Sequence, residues 1–115
     1  MQDFRNLEVW KRAHRLVLAV YRCSQEMPRD EVFGITMQLR RGATAIATRI
    51  AEGCGREGNA DFAADLRRAV AACNEVEYLI LLAKDLEYLK AEVDERLTGE
   101  VVEVRKMLHG LLRKL

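Results

Sequence analysis

Apolar positions recur every three to four residues over most of the chain, which predicts helices. The most regular series steps alternately by four and three: Phe62, Leu66, Ala69, Cys73, Val76, Ile80 and Ala83. A second series of the same kind follows it: Leu97, Val101, Val104, Leu108, Leu111 and Leu115. Such heptad spacing is typical of helices that pack against each other at shallow angles.

Breaks in this pattern divide the chain into four helical segments, at about 6–25, 31–52, 60–90 and 94–113. Pro28 ends the first segment, because proline disfavours helix at the residue before it. Asp30 is the candidate N-cap of the second segment, and Asn59 or Asp61 that of the third. The last junction contains neither Gly nor Pro, so its position is the least marked.

The first helix carries two apolar seams. One is Val9, Ala13, Leu16, Val20 and Cys23, and the other is Leu7, Trp10, His14, Val17 and Tyr21. Four helices joined by short loops fit an all-α, antiparallel up-down-up-down bundle, a single domain of residues 1–115. The second seam, together with Leu79, Leu82 and Leu86, leaves apolar surface that favours self-association. The alternative is that both seams lie inside one wide core.

Residues 53–58 read GCGREG, a string that binds a dinucleotide when a strand precedes it and a helix opens within it. The preceding stretch, 39–52, instead continues a helical face: Ile35, Leu39, Ile46 and Ile50. The stretch after it is also helical, so no second strand carries the required acid. We interpret the glycines as a break between helices, with Gly53 and Gly55 in the left-handed conformation of a C-cap.

Composition narrows the class of protein. Half of the 115 residues are apolar and one is proline, which suits a helical domain. The net charge of +1 lacks the excess expected of a small protein that binds nucleic acid mainly through phosphates. Residues 1–10 carry charges throughout, unlike a signal peptide, and no apolar run is longer than that of residues 78–83, which is too short to span a bilayer. We expect no membrane contact and a cytoplasmic location.

No catalytic or metal site follows from the sequence. Cys23, Cys54 and Cys73 form no C-x-x-C pair, so neither a disulfide framework nor a zinc site is predicted. The two histidines each follow a lysine by three positions, whereas a di-iron bundle needs glutamate at that spacing. Cys54 lies beside glycines and is a candidate reactive thiol, but no partner base is apparent. We expect no enzyme activity and no cofactor.

Two carboxylates, Glu52 and Glu75, are candidates for contacts that stabilise the glycine loop. Glu52 precedes Gly53, and Glu75 lies in the third helix between two apolar positions. A buried carboxylate is costly unless it is paired. We expect Glu52 and Glu75 to tie the loop to the bundle, and a ligand-binding role for them is the alternative.

Positive charge is concentrated on the first two helices. Six arginines are the candidate contacts to nucleic acid: Arg12, Arg15, Arg22, Arg40, Arg41 and Arg49. Each would neutralise a phosphate. No aromatic residue interleaves this basic face in the sequence, so stacking on bases is not expected. The alternative is a solvated face with some salt bridges.

Short motifs spread over most of the chain form a recognisable pattern. They are Phe4-x-x-Leu7-x-x-Trp10-x-x-Ala13, Tyr21, Pro28, Glu31-x-Phe33-Gly34, Gln38-Leu39-Arg40-Arg41-x-Ala43, Ile46, Ile50-Ala51-Glu52-Gly53-x-Gly55-Arg56, Asp61-Phe62, Ala69, Glu75 and Glu77. On these residues the chain resembles the family of 23S rRNA intervening-sequence proteins. The accessory variability proteins of diversity-generating retroelements are related to that family.

The resemblance implies a homopentamer of antiparallel four-helix bundles with a central opening and no catalytic activity. For the accessory members it implies a basic platform for nucleic acid and reverse transcriptase. The sequence departs from the family pattern at Arg49, where Asn is usual, at Ala71-Ala72, where Gly-Ser is usual, and at Ala47, which is often Pro. The polar contacts of that Asn or Ser are therefore not carried over, whereas the bundle is.

Two function hypotheses follow. The first is a non-enzymatic oligomeric bundle that binds RNA, DNA or a nucleoprotein partner, such as a reverse transcriptase, through the six arginines. Structural roles fall to Trp10, Glu52, Gly53, Gly55 and Glu75. The second is a protein-interaction scaffold without a nucleic-acid role.

Overall fold

The computed structural model describes residues 2–115, and these form four α-helices with no strand. The helices are α1 (Glu8–Ser24), α2 (Ile35–Cys54), α3 (Asn59–Asp85) and α4 (Ala91–Arg113). Two short 3-10 turns, Phe4–Asn6 and Arg29–Glu31, precede α1 and α2. The all-α class predicted from apolar periodicity is confirmed.

Each helix packs against the next along the chain, and α1 also packs against α4, which closes the bundle. The apolar series predicted for α3 is entirely buried: Phe62 is 7% exposed, and the other six members of the series are fully buried. The α4 series is buried from Leu97 to Leu108, but Leu115 lies beyond the end of the helix and is 41% exposed. Leu111, in the last turns of α4, is half-buried. The heptad pattern therefore identifies the core correctly except at the C-terminal end of α4.

The two seams of α1 have different environments. Val9, Ala13, Leu16 and Val20 belong to the buried core. In the other seam, Leu7, Trp10 and Val17 are half-buried, while His14 and Tyr21 are exposed. The second seam therefore borders the core and stays partly exposed in the single chain, so the expectation of one wide core that buries both is wrong. Among the α3 leucines expected to be left over, Leu86 is exposed, whereas Leu79 is buried and Leu82 is half-buried.

The segment between α1 and α2 is longer than predicted. The 3-10 turn lies where the sequence suggested the start of the second helix, and α2 begins only at Ile35. Gly34 occupies the cap position, so the prediction that Asp30 caps α2 is wrong. The hydroxyl of Tyr88 donates a 2.9 Å hydrogen bond to Glu31 Oε2, which fixes this turn against the α3–α4 connection.

The α2–α3 turn, residues 53–58, also differs from its prediction. Both Gly53 and Gly55 have negative φ, so neither adopts the left-handed conformation. Gly53 is buried inside α2, and a Cβ built on it would lie 2.8 Å from Phe62 Cδ1. A side chain there would separate α2 from α3, so the position requires glycine for close packing. Gly58 occupies the cap position of α3, so neither Asn59 nor Asp61 is the cap.

Helix α3 ends five residues before its predicted end. Glu87 has a φ of 66°, and the N–H of Tyr88 donates to the carbonyl of Ala83 at 2.8 Å. The N–H of Glu87 also donates to the carbonyl of Lys84 at 2.8 Å. These two bonds are those of a Schellman motif, which usually places glycine where Glu87 stands. The boundary was missed because its usual sequence signal is absent.

Candidate nucleic-acid interface

Arg12 makes an ion pair with Glu100 between α1 and α4. Its Nε donates to Glu100 Oε2 at 3.0 Å, and its second terminal nitrogen donates to Oε1 at 3.3 Å. The hydrogen bond and charge of Arg12 lower the pKa of Glu100 below its usual value, and the same contacts raise the pKa of Arg12. The guanidinium charge of Arg12 is thus already compensated within the chain.

Arg15 lies on the rim of a cleft of about 290 Å³ between α1 and α4. Arg96 lines the same cleft, whose floor is formed by Leu16 and Leu97. The paired carboxylate of Glu100 also lines it. We call this feature the α1–α4 cleft; it mixes basic, acidic and apolar groups.

Arg40 joins the end of α1 to α2. Its Nε donates a 2.7 Å hydrogen bond to Ser24 Oγ, which itself is buried, and its guanidinium lies 4.7 Å from the centre of the Tyr21 ring. A terminal nitrogen of Arg40 also reaches the carbonyl of Tyr21 at 3.4 Å. These contacts hold the Arg40 side chain within the fold.

The groove between α1 and α2 presents two further arginines to solvent. It has a volume of about 340 Å³ and is lined by Tyr21, Arg41, Thr44, Ala45, Thr48 and Arg49. We call these six residues the α1–α2 groove. Both arginines are exposed, and the Tyr21 side chain is 43% exposed. The expectation that no aromatic residue interleaves the basic face is wrong, because the fold brings Tyr21 from α1 beside the arginines of α2.

The remaining predicted residues are placed as follows. Arg22 is exposed on α1. Arg49 donates a 2.9 Å hydrogen bond to Glu52 one turn further along α2. Glu75 is exposed beside Gly42, where a Cβ would meet Val76 Cγ2 at 2.9 Å. The ring of Trp10 stacks on that of His14 with centroids 4.9 Å apart. The ring of Phe4 packs edge-on against Trp10, with centroids 4.8 Å apart.

Asp65 is the buried carboxylate that ties the glycine loop to the bundle, a role that the sequence suggested for Glu52 and Glu75. It is 1% exposed and accepts hydrogen bonds from Arg56 Nε at 2.8 Å and from Arg68 at 2.7 Å. The hydrogen bond from Arg56 is the largest cause that lowers the pKa of Asp65. The i, i+3 spacing of Asp65 and Arg68, next to buried Leu66, was a signal that could have identified it.

Other reactive groups are shielded or dispersed. Burial raises the pKa of the Cys54 thiol, and it raises that of Cys73 to about 12, so burial disfavours the reactive thiolate form at both positions. Among residues 2–115, no three side chains of the metal-binding types converge. Over the same residues, every helix is too short or too polar to cross a bilayer.

The arrangement agrees with known proteins. A family model described as 23S rRNA-intervening sequence protein matches residues 5–110. A solved structure from Bacteroides thetaiotaomicron, of a protein of unknown function from the S23 ribosomal protein family, matches this chain with a TM-score of 0.84. The match covers 90% of this chain and 97% of that one. Because the two sequences are only 24% identical, this likeness shows a shared fold alone. No curated protein matches the chain at a significant level. Since the family model matches nearly the whole length, the chain belongs to the 23S rRNA-intervening sequence protein family.

Proposed function

We propose that this protein is a non-enzymatic, self-associating helical bundle that binds the phosphate backbone of nucleic acid, free or in a nucleoprotein partner. The observation that carries the proposal is the α1–α2 groove, in which two exposed arginines and two exposed threonines line the same space. Guanidinium and hydroxyl groups are the side-chain donors most used to contact phosphate oxygens. The groove therefore has the chemistry of a backbone-binding surface.

Local charge supports this assignment despite the small charge of the whole chain. Arg40, Arg41 and Arg49 lie at or beside the groove, and Glu52 is the carboxylate paired there. The ion pair between Arg49 and Glu52 is exposed on both sides, so it is weak and can exchange for a phosphate. A positive potential over this surface attracts polyanions even when distant charges cancel in the sum.

The contacts of the six arginines rank them for this role. Arg41 and Arg49 are the principal phosphate ligands in our proposal, and Arg15 and Arg22 are secondary ones on the exposed side of α1. Arg12 is excluded because Glu100 already binds it with two hydrogen bonds. Arg40 acts through its hold on Tyr21 and Ser24.

The proposal takes the four helices as antiparallel. Two ion pairs between α3 and α4 support this direction: Lys84 with Asp94 at 4.0 Å and Glu77 with Arg105. Lys84, near the end of α3, pairs with Asp94 near the start of α4, whereas Glu77, earlier in α3, pairs with a residue further along α4. The two helices therefore run in opposite directions in our proposal. The short connections after α2 and α3 also favour antiparallel neighbours.

Self-association is supported by apolar side chains that the single chain leaves in solvent. Tyr78 is 58% exposed, and Leu81, Leu86, Leu18 and Val32 are also exposed. The family resemblance favours five copies in a cytoplasmic ring, in which several weak basic patches act together. Native mass spectrometry should find a closed oligomer, and a single subunit at micromolar concentration would contradict this part of the proposal.

Binding is tested with a matched pair of charge variants. Arg41→Gln with Arg49→Gln removes two cations from the groove, whereas Arg67→Gln with Lys106→Gln removes two exposed cations from α3 and α4. Loss of two phosphate contacts should weaken binding of labelled RNA at low salt by about tenfold or more. The control should bind like the natural protein. Absent binding, or an equal loss in both variants, would refute the proposal.

A second function is favoured by one observation. Phe33 is 84% exposed in the segment between α1 and α2, next to exposed Val32. Such an apolar tip is typical of a contact with another protein. This scaffold hypothesis requires Phe33→Ser to abolish capture of a protein partner that survives nuclease treatment, while nucleic-acid binding stays unchanged.

A further inference from the structure

We propose that the α1–α2 groove takes single-stranded nucleic acid in preference to a duplex, with an unpaired base stacked on the ring of Tyr21. This inference rests on the proposed function and specifies the ligand of the same groove. It depends on one juxtaposition: an aromatic ring from α1 and two solvent-exposed arginines from α2 line one cavity.

Tyr21 is held in place before any ligand arrives. The Arg40 guanidinium lies 4.7 Å from the ring centre, and Arg40 is itself anchored by hydrogen bonds to Ser24 Oγ and to the Tyr21 carbonyl. The rest of the ring remains exposed and borders the groove. A ring fixed in this way loses little conformational entropy when a base stacks on it.

The dimensions of the groove suit a flexible strand. Arg41 and Arg49 are eight positions apart on one helix, which places their Cα atoms about 12 Å apart along the axis. Thr44 and Thr48 lie between them in sequence and line the same space. A strand that follows the groove can thus give its phosphates to α2 and turn a base toward Tyr21 on α1. This combination of a basic track and an aromatic ring is how proteins bind single strands with little sequence preference.

A duplex cannot use Tyr21 in the same way. Its bases are paired and stacked on each other, so none can lie on the ring without the cost of unpairing and unstacking. The arginines would still contact its phosphates, since those lie on the outside of any double helix. The groove should therefore bind both forms electrostatically and gain additional affinity for the single strand.

The second seam of α1 adds another aromatic ring beside the groove. His14 shares the helical face of Tyr21 two turns away, about 10 Å along the axis. Its ring is exposed and stacks on Trp10 with an angle of 7° between the planes. A strand that leaves the α1–α2 groove along α1 meets this second ring.

The experiment compares Tyr21→Leu with Tyr21→Phe, because leucine keeps an apolar side chain and phenylalanine keeps the ring. The probes are labelled oligo(dT), oligo(U) and the oligo(dA)·oligo(dT) duplex, titrated by fluorescence anisotropy. Tyr21→Leu should weaken single-strand binding by about tenfold, which is within the range of one stacked base. Tyr21→Phe should bind single strands like the natural protein, and neither variant should change duplex binding by more than about twofold. Comparison of oligo(dT) with oligo(U) shows whether the groove distinguishes deoxyribose from ribose.

A second readout places the base. Strands that contain 5-iodouracil crosslink on irradiation to an aromatic ring in contact with the base, so peptide mapping should identify Tyr21 in the natural protein and Phe at this position in the variant. Crosslinks confined to other regions would overturn the inference, as would equal affinity for both forms that Tyr21→Leu leaves unchanged. Those results would leave phosphate binding by the groove intact. Failure to bind any of the three probes would refute the proposed function itself.

Discussion

The α2–α3 turn and the α1–α2 groove are both rich in polar groups, but they use them in opposite ways. At the turn, the carboxylate of Asp65 is buried and bound by Arg56 and Arg68, and Gly53 lies against Phe62. In the groove, Arg41 and Tyr21 face an open space. At the turn, the polar groups bind each other and stabilise the fold, whereas in the groove they remain available to a ligand.

This difference explains why the most conspicuous string of the sequence has no binding role in our account. GCGREG looks like a phosphate loop, yet α2 and α3 flank it, and its first glycine is buried inside α2. The groove has no comparable motif, because its residues come from two helices. A motif indicates a ligand site only where the surrounding elements leave room for the ligand.

The largest effect is expected from Gly53→Val. The new side chain would meet Phe62, whose Cδ1 lies 2.8 Å from a Cβ at this position, and α2 would have to move away from α3. We expect the free energy of unfolding to fall by about 3 kcal/mol, measured by urea denaturation. Gly99→Val is the matched control, since a Cβ on Gly99 in α4 meets nothing within 4 Å. Equal stability of the two variants would show that close packing at Gly53 is unimportant.

Removal of the buried charge at the turn should have the next largest effect. Asp65→Asn keeps the shape but weakens two charge-assisted hydrogen bonds, so we expect a loss of about 2 kcal/mol in the free energy of unfolding. Glu52→Gln disrupts an exposed pair with Arg49 and should cost less than about 0.5 kcal/mol. If the two substitutions cost the same, Asp65 does not tie the turn to the bundle.

The same carboxylate contributes to the pH dependence of stability. The pKa of Asp65 in the folded chain lies below its value in the unfolded chain, which is about 4. The unfolded state therefore binds more protons in this range, so the stabilisation is complete above about pH 4 and is lost as pH falls through the folded pKa. Asp65→Asn should flatten the acid side of the stability curve measured by urea denaturation. An unchanged acid side would contradict the assignment.

The smallest effect on stability is expected from the groove. Arg41→Gln with Arg49→Gln should leave the free energy of unfolding within about 0.5 kcal/mol of the natural protein, because both side chains are exposed. Circular dichroism during urea unfolding measures it. A large loss would mean that the groove supports the fold as the turn does, and the contrast between the two regions would disappear.

Local pattern was sufficient to predict the helices and the core. The series that begins at Phe62 needs only the period of an α-helix, and every member of it is buried. The helix ends at Ile35 and Asp85 were harder, since a 3-10 turn replaces the expected N-cap and Glu87 adopts a conformation that usually signals glycine. These boundaries depend on tertiary contacts such as the bond from Tyr88 to Glu31.

The candidate site was less accessible to sequence reasoning. The arginines were found from charge alone, but nothing local indicates that Arg12 is bound by Glu100, 88 positions away. Nor does the sequence place Tyr21 beside Arg41, because that proximity arises only when α1 packs on α2. Charge composition finds the candidates, and only the fold decides which of them are free.

The most direct test of the central claim is the salt dependence of binding to a single-stranded oligonucleotide. Each phosphate contact contributes about 0.7 to the slope of log K against log salt concentration. Arg41→Gln with Arg49→Gln should therefore reduce the magnitude of the slope by about 1.4, while Arg67→Gln with Lys106→Gln leaves it unchanged. An identical slope for the groove variant and the natural protein would contradict the account.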